Sequence, residues 1–198
     1  MKGILRLAAF ALVLNARAEV VCALGQGASS YKPASDQRPS PDSMQLAGRV
    51  NAAMKAICAD HCPTMALFRN PTAANMMLVA GSGDAKVVYS PQFLYAVDMA
   101  FGDEGVVGLM AHELGHALDD VGRATWVNRG WPPEVRADAW AGCILAYTDL
   151  GEGGLDRALS ALAKYPSPAH PDWKVRLPAL RAGYTHCGGA ASKFDRRK

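Results

Sequence analysis

The spacing of apolar positions changes several times along the chain, and each change marks an element. From residue 43, Leu46, Val50, Met54 and Ile57 recur three or four apart, the period of a helix with one buried stripe. Ser43 is placed to cap that helix and Pro63 to stop it. Three short apolar runs follow, at 64–68, 75–80 and 86–90. Turn signals at Arg69-Asn70-Pro71 and Gly81-Ser82-Gly83-Asp84 separate them, which predicts a small antiparallel sheet. Pro91 opens a helix to about Phe101, and Gly102-Asp103-Glu104 starts a second one running to about Val121. Beyond Gly130, Trp131 and Pro132 come a helix at 133–150, another at 155–164, and a last helical segment ending near Ala182. No internal repeat is visible. The pattern predicts one α+β domain over residues 43–187, large enough for a hydrophobic core of its own.

The flanks read differently. Residues 1–18 carry Lys2 and Arg6, an apolar block at 7–14 and the small-x-small triplet Ala16-Arg17-Ala18, the order of a secretory signal peptide. An alternative acylation site at Cys22 fits poorly, since Glu19-Val20-Val21 lacks the small residues such a site needs. Residues 19–42, rich in Ser, Pro, Gly and Gln without periodicity, predict a linker or extended arm with little buried. Residues 188–198 predict a flexible basic tail.

Export would also change the charge. The whole chain is +3, but Lys2, Arg6 and Arg17 account for all of it, so the mature chain is formally neutral. No basic patch argues for nucleic acid, and no apolar run reaches the roughly eighteen residues of a transmembrane helix.

All five cysteines (Cys22, Cys58, Cys62, Cys143 and Cys187) lie beyond the cleavage site, in a compartment expected to be oxidising. Two disulfides and one leftover thiol are the expectation. Cys58 and Cys62 could bridge across one helical turn, leaving Cys143 and Cys187 as natural partners, but sequence does not choose among the pairings. Cys58, His61 and Cys62 could instead hold a metal, though without a fourth ligand. Cys143, beside Gly142, could equally be a small residue that lets its helix press on the preceding one.

The chemistry concentrates at His112-Glu113-Leu114-Gly115-His116. Residues four apart lie about 40° around a helix, so both imidazoles leave the same face one turn apart. That spacing suits two nitrogens on one Zn²⁺, with Glu113 beside the open position to take a proton from water. The stretch is strongly apolar, where two unpaired histidines would be costly to bury without a ligand. A metzincin pattern would need Gly at 119 and His or Asp at 122, and the chain has Asp119 and Gly122. Downstream, Pro133 begins a helix whose Glu134 and Asp138 share a face. Glu134 would complete a His₂Glu site, and Asp138 could hold the outer nitrogen of a ligating histidine, most naturally His112. An ordinary helix-start carboxylate with a surface pair is the competing reading of those two acids.

His112-Glu-Leu-Gly-His116 followed by Glu134-x-x-x-Asp138 resembles the gluzincin zinc metallopeptidases. With E-V-R-A-D-A-W-A-G-C at 134–143 and H-P-D-W-K-V-R at 170–176, the chain is similar to two related groups. One holds the membrane prenyl-protein and heat-shock peptidases and their soluble relatives, the other bacterial neutral zinc metallopeptidases. The resemblance covers about residues 85–184. It implies a zincin-like fold, one Zn²⁺ per chain on His112, His116 and Glu134, Asp138 behind them, and Glu113 as general base. It also implies that His170 and Arg176 reach the cleft to steady an oxyanion, where a donor about 3 Å away would be useful. The plain alternative is a loop histidine and a helix arginine paired with an acid such as Asp172. The chain lacks the membrane helices of the first group's integral-membrane members, so no prenyl-protein substrate is carried over.

The expected function is therefore an exported, periplasmic or secreted zinc peptidase acting on protein or peptide. The strand at 86–90 would be the cleft edge, and Tyr89, Phe93 and Tyr95 its wall. Two rivals are a non-peptidase zinc hydrolase such as a cell-wall amidase, and a zinc-stapled binding or assembly module.

Overall fold

The computed structural model describes residues 20–24, 30–80, 84–121 and 124–195. The expected signal peptide at 1–18 lies outside the described residues, as do Gly122 and the last three basic residues of the tail. Among the described residues the architecture is α+β, with five α-helices and one four-stranded sheet. The strands are β1 (Val20–Leu24), β2 (Met65–Arg69), β3 (Met76–Val79) and β4 (Ala85–Tyr89).

The sheet is mixed rather than antiparallel, in the order β1-β3-β4-β2. β3 and β4 form the expected hairpin, but β2 lies parallel to β4, with Leu67 opposite Val87. The burial patterns explain this. β3 is buried along its whole length and β4 nearly so, which marks interior strands, not edges. The expected cleft edge at 86–90 is thus corrected: β4 lies between β3 and β2.

The reading of 19–42 as an arm with little buried is corrected where the structure describes it. Val20–Leu24 pairs antiparallel with β3, Leu24 and Cys22 are buried, and Gln37 bridges Arg69 on β2. Asp36 anchors the stretch further, accepting from Lys86 Nζ at 2.6 Å and from Asn70 Nδ2 at 2.8 Å. Within the expected tail, Phe194 is buried against Tyr184, and Asp195 pairs with Arg181.

The helices follow the apolar period closely. α1 (Pro41–Cys58) begins three residues earlier than expected, because Ser40, not Ser43, is its cap, its side chain accepting from Ser43 N–H ahead of Pro41 at the first turn. α2 (Pro91–Val121) is broken at Gly102, whose φ of 66° no helical residue adopts, so the two expected helices meet there. α3 (Pro133–Tyr147), α4 (Gly154–Lys164) and α5 (Trp173–His186) complete the chain. Disulfides join Cys58 to Cys62 and Cys143 to Cys187. Two disulfides fit an oxidising compartment, and no helix among the described residues is long and apolar enough to cross a membrane.

The second half of α2 is the spine of the core, packed against the sheet, α3 and α4, with α5 on the far side of α3. Backbone approach is unusually close along this stack. A Cβ on Gly115 of α2 would stand 2.2 Å from the Ala137 carbonyl oxygen of α3. Gly142 faces Leu180 of α5, and Cys143 beside it, weighed as a small residue letting α3 press on α2, is bonded to Cys187 past the end of α5.

Candidate metal centre

The α2–α3 contact at Gly115 sets the site. It brings the imidazoles of His112 and His116, one helical turn apart on α2, against the first turn of α3, which presents Glu134 and, one turn on, Asp138. Glu134 Oε2 stands 3.3 Å from His112 Nε2 and 3.2 Å from His116 Nε2. His170, from the loop before α5, reaches the same oxygen at 2.6 Å. The sequence-predicted His112, His116, Glu134 and His170 therefore converge on one point.

A fifth side chain joins the cluster, one that no ligand spacing along the chain pointed to. Cys22 of β1 places its sulfur 3.8 Å from His112 Nε2, 3.8 Å from Glu134 Oε2 and 3.9 Å from His170 Nε2. It is the one cysteine outside the two disulfides.

Two observations test whether this group fits a metal ion. One donor atom each from Cys22, His112, His116 and Glu134 lies within 4.8 Å of all the others. Tetrahedral bonds of about 2.0–2.3 Å would put such atoms roughly 3.3–3.6 Å apart, against 3.3 and 3.2 Å from Glu134 to the two histidines and 3.8 Å from Cys22 to His112 and to Glu134. His116 Nε2 is buried and has no hydrogen-bond partner, despite its proximity to Glu134. An imidazole nitrogen left orphaned in a dry interior is costly unless something else binds it. A buried Cys/His/His/Glu group of this kind could hold a metal ion.

The surroundings fix each donor. His112 Nδ1 lies 2.9 Å from Asp138 Oδ1, so the outer nitrogen donates to the carboxylate and Nε2 faces the centre. Asp138 is fixed in turn by Arg176, which donates through Nε to Oδ2 at 2.7 Å and through Nη2 to Oδ1 at 2.9 Å. The third nitrogen of that guanidinium, Nη1, donates to the Leu162 carbonyl. The structure thus places Arg176 behind Asp138, fully buried, and not in the cleft beside His170; its acid is Asp138, not Asp172. For His170, Nδ1 accepts from Ser167 N–H at 3.0 Å, which puts the ring proton on Nε2 and makes that nitrogen a donor towards the centre.

Glu113 sits at the same centre with neither carboxylate oxygen exposed. Oε2 accepts from Leu78 N–H of β3 at 2.8 Å, while Oε1 has no hydrogen-bond partner. Burial, with the neighbouring Glu134 charge adding to it against His112, pushes its pKa up to about 8. Burial also pulls on His112, but its bonds to Asp138 and Glu134 win and raise it to about 9. Burial would raise Glu134, yet the surrounding imidazoles hold its carboxyl far below the usual range. Asp138 is likewise lowered, burial being outweighed by His112 and Arg176. Burial pushes the Cys22 thiol well up, helped by Glu113 and Glu134. Burial lowers His170, with the hydrogen bond to Glu134 opposing.

Other expected residues lie elsewhere. Tyr89 and Tyr95 line a separate groove with Ser40, Arg69 and Asp98, and Phe93 packs edge-on to Tyr165 in the core. Asp119 ties Arg129 and Arg136, at 3.0 and 2.7 Å. Cys58 and Cys62, weighed as metal ligands with His61, are bonded to each other. Compared with protein-family models, curated proteins and solved structures, the chain matches none.

Proposed function

We propose that the protein is a zinc-dependent hydrolase of peptide bonds, with His112, His116 and Glu134 as metal ligands. The observation that carries the reading is Glu113: a fully buried carboxylate at the metal centre, one oxygen held by Leu78 N–H and the other free. A site that only stapled the fold would have no use for a buried base, and leaving it there costs stability. The imidazole and carboxylate donors suit zinc.

When bound, the metal would polarise a carbonyl and lower the pKa of water in its sphere towards 7. The chain's own residues supply the rest. Leu78 N–H aims Glu113 so that Oε1 can accept a proton from the attacking water and return it to the leaving amine. Its raised pKa suits that exchange near neutral pH. The Nε2–H of His170, which meets Glu134 Oε2 at 2.6 Å, would turn to the oxygen that gains charge as the carbonyl is attacked. Asp138 and Arg176 hold His112 in register and keep its Nε2 turned inward. They are positioning residues. An exported location is part of the same proposal, supported by the N-terminal signal pattern and the two disulfides.

Glu113→Gln keeps the shape and the Leu78 contact but removes the base. It should retain about one metal per chain and lose about 10²–10⁴-fold in hydrolysis of a mixed peptide library. Cleavage undiminished in that variant would overturn the proposal. Parallel assay of peptidoglycan fragments separates peptidase from amidase.

A further inference from the structure

A catalytic zinc site holds three protein ligands and keeps the fourth position open. Here that position has an occupant, the sulfur of Cys22, at 3.8 Å from both His112 Nε2 and Glu134 Oε2. Two independent observations point to the same place: the buried, unpartnered Nε2 of His116, and the mutual proximity of all four donor atoms. A thiol is the softest donor of the group, and ligation would exchange its proton for the metal.

The strand that delivers the cysteine adds to the argument. β3 has β4 on one side and β1 on the other, so without β1 its outer edge would be open. β3 also carries Leu78, whose N–H holds Glu113, and in the antiparallel register of β1 on β3 the residue opposite Leu78 is Cys22. An extended peptide adding to a sheet edge uses the same backbone ladder. It would bring the residue opposite Leu78 next to the base and the metal. β1 therefore lies as a substrate would, with a metal-binding sulfur where the scissile carbonyl would come.

We propose that Cys22 is the fourth metal ligand and that β1 occupies the substrate's strand position, so that the chain with β1 in place is a latent form of the hydrolase. The consequence for activity rests on the function proposed above; the ligand assignment stands on geometry alone. β1 is suited to leave. It is five residues long, paired on one side only, its ladder shifts between Val20 and Cys22, and Val20 is exposed. Leu24 is its buried anchor.

The test uses the full chain loaded with zinc, read by X-ray absorption at the zinc edge and by peptide-library hydrolysis. Wild type should show one sulfur at about 2.3 Å. Cys22→Ser should lose that sulfur while keeping about one zinc, and its hydrolysis should rise about ten-fold or more, since only open molecules turn over. Leu24→Asp, which keeps the thiol and weakens the strand, should lose sulfur ligation in part and gain activity in proportion. It serves as the second variant should Cys22→Ser fail to fold. A wild-type site without sulfur overturns the proposal, and if that protein hydrolyses peptides, the hydrolase reading survives alone. Sulfur in the wild type with hydrolysis equal in wild type and Cys22→Ser overturns the latency. Sulfur in the wild type with no hydrolysis by either overturns the hydrolase itself and leaves Cys22 as the closing ligand of a structural site.

Discussion

Arg176 and Asp138 form a fully buried ion pair, two hydrogen bonds of 2.7 and 2.9 Å, and the same Asp138 oxygen that accepts from Arg176 Nη2 also holds His112. The aim of His112 therefore depends on an arginine three helices further along the chain. Asp138→Asn keeps the shape and removes the charge. It should weaken metal affinity by about 10–100-fold, the usual effect of losing a partner behind a ligating histidine. Either Asp138→Asn or Asp138→Ala strands the Arg176 charge and should cost about 3–5 kcal/mol of stability as well. Competition with a chromophoric chelator measures the first and denaturant unfolding the second. Unchanged affinity in Asp138→Asn would separate His112 from the metal.

The helix crossing gives a second test. Gly115→Ala sets a methyl 2.2 Å from the Ala137 carbonyl oxygen, so α2 and α3 must part. The proposed ligands lie on both sides of that contact, His112 and His116 on α2 and Glu134 on α3. A loss of about 3 kcal/mol in stability should come with weakened metal binding. Gly183→Ala crowds the Ala139 carbonyl at the α3–α5 contact instead. It should cost stability with less effect on affinity, and the ratio of the two losses is the measurement.

Much of this site is legible in the chain. A helical period of four puts His112 with His116 and Glu134 with Asp138, and Pro133 marks where the second pair begins. Gly102 announces the break in α2 because only glycine tolerates its positive φ. Other features depend on partners that local sequence does not name. Val20–Leu24 is a single short apolar run among polar residues, and it becomes a strand only because β3 offers an edge. The direction of β2 is fixed by its neighbour β4, which a linear pattern cannot display. Arg176 looks like any helix arginine until Asp138 is seen to be its acid. The unpaired fifth cysteine was the available signal for Cys22, but parity alone does not say where a thiol goes.

Acidity supplies a third prediction, for the metal-free protein. Glu113 and His112 have folded pKa values raised to about 8 and about 9, so across neutral to alkaline pH the folded state binds more protons than the unfolded one. Stability is then present at pH 7 and lost as pH rises through both values, by roughly 3 kcal/mol between pH 7 and 9. His170, lowered from its ordinary value, acts only on the acid side of this window. Metal binding displaces the same protons, so the increase in Tm on adding zinc should grow over the same range. Paired melting curves at pH 7, 8 and 9 read both trends; a metal-free Tm that rises from pH 7 to 9 would contradict the assignment.

One metal ion per chain, held by His112, His116 and Glu134, is most directly tested by the metal content of purified protein, read by elemental mass spectrometry. Wild type is expected to carry about one zinc per chain, and His116→Ala and Glu134→Ala far less, with the fold intact by circular dichroism. Wild-type protein that stays metal-free after incubation with zinc and removal of excess, or variants that keep a full equivalent, would contradict the account.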